Sequence, residues 1–400
     1  MTIAVLGTMD TKGEEHGFVA ELIHHRGHQP FIIDVGIGGA PQIRPDLPRE
    51  EVARIAQLDL AAVVSRNDRG EAVLAMSKAA PVVLSKLYAE GTIHGVISLG
   101  GGGGTAIATA GMRALPIGFP KLMVSTLASG NTAQYVGVKD IVMMPSIVDV
   151  AGLNRISREI LTRAAGAICG MVEAQVVEAA DRPLVVASMF GNTTECVQHA
   201  RKVLEAAGYE VLVFHATGTG GRTMESLIEA GMVAGVLDLT TTEWADELVG
   251  GFLGAGPTRL DAAATHGVPA VIAPGCLDMV NFHAPETVPA RFAERIFYHH
   301  NPQVTLMRTN CEECAQLGHI IAKKVNASRG PVAVMIPTKG VSVISTEGGP
   351  FHNPEADTAL FSAIEREVRA DIPVVEMPNR INDPEFAEAC AQRLLEMMRP

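Results

Sequence analysis

The chain is short of several things that would have fixed its function at once. Charged residues make up only 19% of its 400 residues and lean acidic, with 32 Lys and Arg against 44 Asp and Glu and a formal net charge of −12. Nucleic-acid affinity rests on clustered Lys and Arg, so this balance, with no basic run and no basic–aromatic interleaving, excludes a general nucleic-acid binder. The six cysteines are scattered apart from Cys311-Glu-Glu-Cys314, which argues for reduced thiols rather than a disulfide framework. No apolar stretch reads as membrane-spanning, and the opening TIAVLG turns polar too quickly for a secretory leader. The expectation is a cytoplasmic protein that engages no membrane.

What is present suits buried sheets. Hydrophobic residues make up 47%, and the length exceeds what one compact core usually holds, so two domains are expected. The runs TIAVLG, QPFIID, HGVISLG, KLMVST and DIVMMPS are continuously apolar rather than alternating. That suits strands of a parallel sheet covered by helices on both faces. Segments between them, such as EEHGFVAELIHHRG, carry apolar residues at helical spacing and stop at glycine. GEAVLAMSKAAPVVLSKLYAEG has the same spacing, with Pro81 expected to kink or split it. A long helix is expected from about Asn154 to Ala180, stopping at Asp181-Arg182-Pro183. This sets the domains at 1–181 and 182–400.

After that boundary the pattern restarts with PLVVASM, a helix over TTECVQHARKVLEAAG, YEVLVFH, and further strands VAGVLDL, VPAVIAP, PVAVMIP and IPVVEMP. AVLGTMDTKGEE followed by a helix and RGHQPFIIDVGIGG is echoed by ASMFGNTTEC, a helix and AGYEVLVFHATGTGG. The expected fold class is α/β: two Rossmann-like three-layer α/β/α domains with mostly parallel sheets facing a central cleft.

The strongest site signal is LGGGGGT, Leu99 to Thr105. Gly100, Gly101, Gly102, Gly103 and Gly104 leave no Cβ to stop backbone N–H groups pointing into one space, and the following helix start adds donors, with Thr105 adding a hydroxyl. A phosphate or carboxylate is the natural guest; a tight turn for close helix–strand packing is the alternative. No Walker A lysine follows, and the spacing is not the dinucleotide fingerprint. Gly7, Thr8, Asp10, Thr11 and Lys12 leave the first strand of the same unit and should face the same crevice. The threonines can donate to phosphate, Lys12 can neutralise it, and Asp10 can hold a hydrated Mg²⁺. Helix-start roles explain Glu14 and Glu15, but a cation there is unfavourable, which singles out Lys12. Ser125, Thr126, Ser129, Gly130 and Asn131 form a third polar strand exit. Thr217, Gly218, Thr219, Gly220 and Arg222 form the second unit's counterpart, either an anion loop or a bare turn. GCLDMVNF, PTKGVSVIS and PFHNPEAD place Asp278, Lys339, His352 and Asp357 after later strands, with Lys12, Lys339 and His352 as catalytic candidates. His352 with Asp278 or Asp357 could form an acid–base pair, or these residues serve as caps and surface groups.

GTMDTKGEE, GGGGGT, GCLDMVNF, PTKGVSVIS and PFHNPEAD together resemble the ATP-binding family typified by the tomato mosaic virus resistance protein, over essentially the whole chain. The resemblance implies two Rossmann-like domains, nucleotide binding and a homodimer. Its motifs cover Gly7, Thr8, Asp10, Thr11 and Lys12, and Gly100 to Thr105. The plant member is fused to a further barrel domain, so a separate barrel-fold enzyme is an implied partner. The expected function is an ATP- and Mg-dependent enzyme acting on a small anionic metabolite. The alternatives are a nucleotide-sensing interaction protein and a sugar-nucleotide-using transferase.

Overall fold

A computed structural model describes residues 1–175 and 182–399. The chain divides into two compact units, Met1–Val177 and Glu178–Pro400. In the first, strands β1 (Thr2–Gly7), β2 (Gln29–Asp34), β3 (Gly95–Gly100), β4 (Lys121–Ser125) and β5 (Val142–Pro145) form one sheet in the order β2-β1-β3-β4-β5. All its pairings are parallel. Alternate residues of each strand feed two separate cores. Ile3, Val5, Ile97 and Leu122 pack with Val19, Ile23, Leu161 and Ile168. Ala4, Leu6, Val96 and Met123 pack with Met76, Leu84, Ala108 and Met112. Burial on both faces is why these strands read as unbroken apolar runs.

Helix Arg69–Ala89 continues through Pro81 without being split. The proline costs one backbone donor, and the turn beyond it is held by packing: Gly111 lies so close to Ala80 and Leu84 that a Cβ there would meet Leu84 at 2.8 Å. By length and composition this helix could cross a membrane, but its buried face (Ala72, Met76, Ala80, Leu84) belongs to the unit's core. The helix expected from Asn154 runs Arg155–Glu173, with Asn154 as its cap. It ends at Glu173, because Ala174 is extended with ψ 124°, so it stops short of the expected Ala180; the expected stop at Asp181 lies outside the described residues.

The second unit contains β6 (Leu184–Met189), β7 (Glu210–His215), β8 (Gly235–Thr240), β9 (Ala270–Gly275), β10 (Met279–Phe282), β11 (Phe297–Asn301), β12 (Val304–Arg308), β13 (Val332–Pro337) and β14 (Val374–Met377). Six of them form a sheet in the order β14-β13-β9-β8-β6-β7, again parallel throughout. Read from the other edge, β7-β6-β8-β9-β13 repeats the path β2-β1-β3-β4-β5, and β14 extends it. The echo extends to the turns: Gly27 and Gly208 each follow the first helix of their unit with positive φ, +84° and +95°. The three remaining strands make an antiparallel sheet, β10-β12-β11, that the apolar-run pattern does not reveal. Its strands are four or five residues long and carry Asn, His, Thr and Arg among the apolar positions.

Candidate functional site

In a sheet ordered 2-1-3-4-5 the crossovers change side between strands 1 and 3, which leaves a crevice at their carboxyl ends. A cavity of 570 Å3 lies there in the first unit, bounded by the exits of β1, β2 and β3. The glycine run divides into parts with different jobs. Gly100 ends β3 and packs against the helix that follows; a Cβ on it would stand 3.1 Å from the Gly104 Cα. Gly101 is the N-cap of helix Gly102–Arg113 and offers no side-chain cap. The N–H groups of Gly102, Gly103 and Gly104 therefore have no partner within the helix. All five glycines line the cavity. Thr105 does not: it is buried, and its hydroxyl bonds the equally buried Ser125 hydroxyl at 2.7 Å.

The stretch after β1 is helical sooner than its polar composition suggests, since helix Met9–His25 starts directly after Thr8. Lys12 breaks it, with φ −131° and ψ 23°, so Met9–Thr11 forms a separate first turn. That turn brings Thr8, Asp10, Thr11 and Lys12 to the cavity wall. The Lys12 ammonium donates to the Val150 carbonyl, and an ammonium has two further N–H groups to offer. Thr8 and Thr11 hydroxyls bond each other at 2.9 Å. One Asp10 carboxylate oxygen accepts the N–H groups of Gly38, at 2.6 Å, and Gly39, at 3.3 Å, and so orders the GIGG turn after β2. Gly7 is not on the wall; its missing Cβ makes room for the His16 ring, which lies in the core. Burial pushes the pKa of that imidazole down. Glu15, read as a helix-dipole residue, is instead buried and accepts the Gly152 N–H at 2.6 Å.

Three further residues belong to this site. Asp34, at the end of β2, is buried and accepts the N–H groups of Met9 at 3.0 Å and Gly36 at 2.8 Å, holding both turns in place. Burial pushes its pKa up. An acid closing an otherwise apolar strand was the available signal. Arg69 and Asp149 also line the cavity, and neither side chain has a hydrogen-bond or ion-pair partner among the described residues. The apolar part of the lining comes from Val35, Ile37, Val63, Val64, Val73 and Ile107. Nothing in the LAAVVS pattern marks Val63 and Val64 as part of a site.

The β4 exit turns away from that cavity into a smaller hollow of 330 Å3, lined by Ser125, Thr126, Ser129, Ser146, Ile147 and Asp149 among others. Asp149 lines both. Gly130 and Asn131 reach neither, and the Asn131 carboxamide oxygen accepts the Ala133 N–H at 3.0 Å. Among the described residues no group of three or more His, Cys, Asp or Glu side chains is placed to hold a metal ion.

In the second unit the glycine turn takes its anion from within the chain. Gly218 and Gly221 donate to one oxygen of Glu243, at 2.7 and 3.1 Å, and Glu243 is buried. Its other oxygen pairs with Arg259 at 2.5 Å, and Arg259 grips Asp238 through two nitrogens at 2.5 and 2.7 Å. Glu225 completes this cage at 3.1 Å. Gly220 lies against the His215 carbonyl, and Thr217 and Thr219 complete the turn. Exposed Arg222 reaches the Gly254 carbonyl at 3.3 Å. The later motifs also converge, but as buried structure. Asp278 accepts from the Ser342 hydroxyl at 2.7 Å, and Asp357 pairs with Arg308 at 2.5 Å. Burial lifts Asp278 to about 6 against the attraction of Arg308. His352 is exposed, with its ring nitrogen 3.4 Å from the Ser345 carbonyl, and makes no hydrogen bond to either acid. Lys339 is exposed and its side chain bonds nothing described. Asn353 caps helix Pro354–Glu367.

Both halves match models of one family. Residues 1–177 match the N-terminal domain of the uncharacterised protein family UPF0261, and residues 182–398 match its C-terminal domain. A UPF0261 protein of Clostridium tetani is 50% identical over 99% of this chain and 98% of its own length. The ToMV resistance protein Tm-1(GCR237) of Solanum lycopersicum is 42% identical over 82% of this chain, which corresponds to 45% of the tomato protein. Among solved structures, the UDP-N-acetylglucosamine 2-epimerase of Rickettsia bellii aligns at 11% identity over 68% of this chain and 78% of its own, with a TM-score of 0.23. A likeness that low carries no argument about function.

Proposed function

The chain belongs to the UPF0261 family, and from that premise we propose that it binds a nucleoside triphosphate, ATP, in the cavity at the carboxyl end of its first sheet. The observation that carries this reading is the mixed lining of one 570 Å3 space. The unpartnered N–H groups of Gly102, Gly103 and Gly104, with the Lys12 and Arg69 cations, suit a chain of phosphates. Val35, Ile37, Val63, Val64 and Val73 in the same lining suit the flat apolar faces of a base. The resemblance to an ATP-binding family selects adenine among the bases. The residues present fit Mg²⁺ only as an ion carried by the phosphates. Asp10 and Asp149 both reach the wall, and Mg²⁺ commonly binds through one or two carboxylates plus phosphate oxygens. When bound there, the ion would supply charge neutralisation. Lys12 and the glycine amides orient the phosphate chain, and the apolar wall excludes water from the base.

Calorimetric titration of the purified chain with ATP in the presence of Mg²⁺ tests this. Saturable binding is expected, weakened about tenfold or more in Lys12→Ala, because hydrogen bonds to charged groups are worth roughly 1.5–3 kcal/mol. No heat with ATP, together with binding of a UDP-sugar, would replace this reading with the sugar-nucleotide one.

A further inference from the structure

Resting on that nucleotide reading, we propose that the 330 Å3 hollow beside the glycine turn is a second subsite, and that it takes a neutral polyhydroxylated compound of sugar or sugar-alcohol size. Three observations lead there. The hollow adjoins the nucleotide cavity: Asp149 lines both, and the Thr126 hydroxyl lies 3.6 Å from where a Cβ on Gly101 would be. A ligand held in it therefore lies next to whatever occupies the glycine amides.

The lining sets the ligand's chemistry. The Ser125 hydroxyl is spent on Thr105 and on the Leu127 N–H, and the Ser146 hydroxyl on the Val148 carbonyl. The exposed Thr126 and Ser129 hydroxyls and the exposed Asp149 carboxylate have no partner among the described residues. Two hydroxyls and a carboxylate satisfy a ligand rich in O–H donors and acceptors. No Lys, Arg or His lines the hollow, so a phosphorylated or carboxylated guest would bring a negative charge against Asp149 with nothing to offset it. The small anionic metabolite expected from sequence does not suit this lining.

The third observation is strain. Ile147, on the rim, has φ +66° with its side chain 70% exposed. A β-branched residue is a genuine outlier in that region, and an exposed one gains no core packing in return. The turn is closed by the Val148 N–H donating to the Ser146 carbonyl at 2.7 Å, and the Ile147 side chain it presents gives the hollow its only branched apolar edge besides Val148.

The test is saturation-transfer NMR and calorimetry on the full chain, with ribose, glucose and glycerol as probes and ribose 5-phosphate as the anionic counterpart. Each is measured with and without a non-hydrolysable ATP analogue. At least one neutral probe is expected to bind, and at least tenfold more tightly than the phosphate. Thr126→Val with Ser129→Ala is expected to weaken that probe at least fivefold while ATP affinity, which does not depend on these side chains, stays unchanged. Ile147→Gly is expected to raise Tm and weaken the probe. Tighter binding of the phosphate overturns the proposal, as does indifference of the neutral probes to the double variant. Absence of ATP binding in the unmodified chain, read in the ATP titration, would instead overturn the nucleotide reading, while the probe titrations without analogue test the hollow by itself.

Discussion

The exits of β3 and β8 occupy the same place in two sheets of the same order. The first reads GVISLGGGGG and the second GVLDLTTTEW. After β3, glycines leave the start of helix Gly102–Arg113 uncovered, and its amides face a cavity. After β8, the helix begins at Glu243, whose carboxylate covers the glycine turn that follows β7 and is locked there by Arg259. The corresponding turn after β2 is also held by an acid, Asp10, through Gly38 and Gly39. Both units thus use a carboxylate to order the glycine turn after their second strand. Only the first leaves the exit of its third strand free for something else. The glycine turns after β2 and β7 each hold a carboxylate of their own unit, whereas the amides at the start of helix Gly102–Arg113 meet no acidic side chain among the described residues.

Breaking the filled turn has the largest expected effect. Arg259 is 1% exposed and faces Asp238, Glu243 and Glu225. Arg259→Met leaves those acids buried without their cation, which costs about 3–5 kcal/mol. Urea unfolding followed by circular dichroism should show that loss. A change under about 1 kcal/mol would mean that the cage does not hold the second unit together.

The difference between the turns was only partly legible in sequence. The parallel sheets and their repeat were, because continuous apolar runs and helix-ending glycines are local signals, and Gly27 and Gly208 matched across the halves. The Gly100–Gly104 run and Lys12 were, because five glycines in a row and a cation at a helix start each run against ordinary preference. The partners were not. Glu243 lies 22 and 25 residues from the glycines it satisfies, and Thr105 lies 20 from Ser125, separations that no spacing rule spans. Arg69 and Asp149 likewise reach the cavity through tertiary placement alone. Asp278 and Asp357 look like exposed chemistry in the sequence, and folding buries them as structure beside Arg308.

Acidity separates the units next, because the buried carboxyl groups with the largest upward shifts lie in the second. Asp278 is raised to about 6 and Asp246 to about 7, both chiefly by burial. An unfolded Asp titrates near 3.9, so between about pH 4 and 6 the native chain holds more protons at Asp278 than the unfolded one does. Stability therefore falls as pH rises through that window, by about 3 kcal/mol for a shift of roughly two units. Asp278→Asn should flatten this fall and leave the slope due to Asp246. Denaturant midpoints at pH 4.5, 6 and 7.5 would check it, and an unchanged slope would mean that Asp278 is ionised in the folded chain.

The open turn is tested most sharply by removing one N–H without disturbing the helix. Gly102 is the first residue of helix Gly102–Arg113, where proline is tolerated because that amide has no intrahelical partner. The preceding Gly101 has φ −88° and ψ −155°, an extended conformation compatible with a following proline, and the nearest atom to a Cβ on Gly102 is 3.9 Å away. Gly102→Pro should therefore leave the unfolding midpoint within about 0.5 kcal/mol of the parent. It should still weaken ATP about tenfold, since one charge-assisted hydrogen bond is lost. The same replacement at Gly221 would delete the buried bond to Glu243 and set ring atoms on its carboxylate, so there stability falls instead. If Gly102→Pro bound ATP as the parent does, the free amides would be an ordinary helix start, and the two glycine turns would differ in packing but not in purpose.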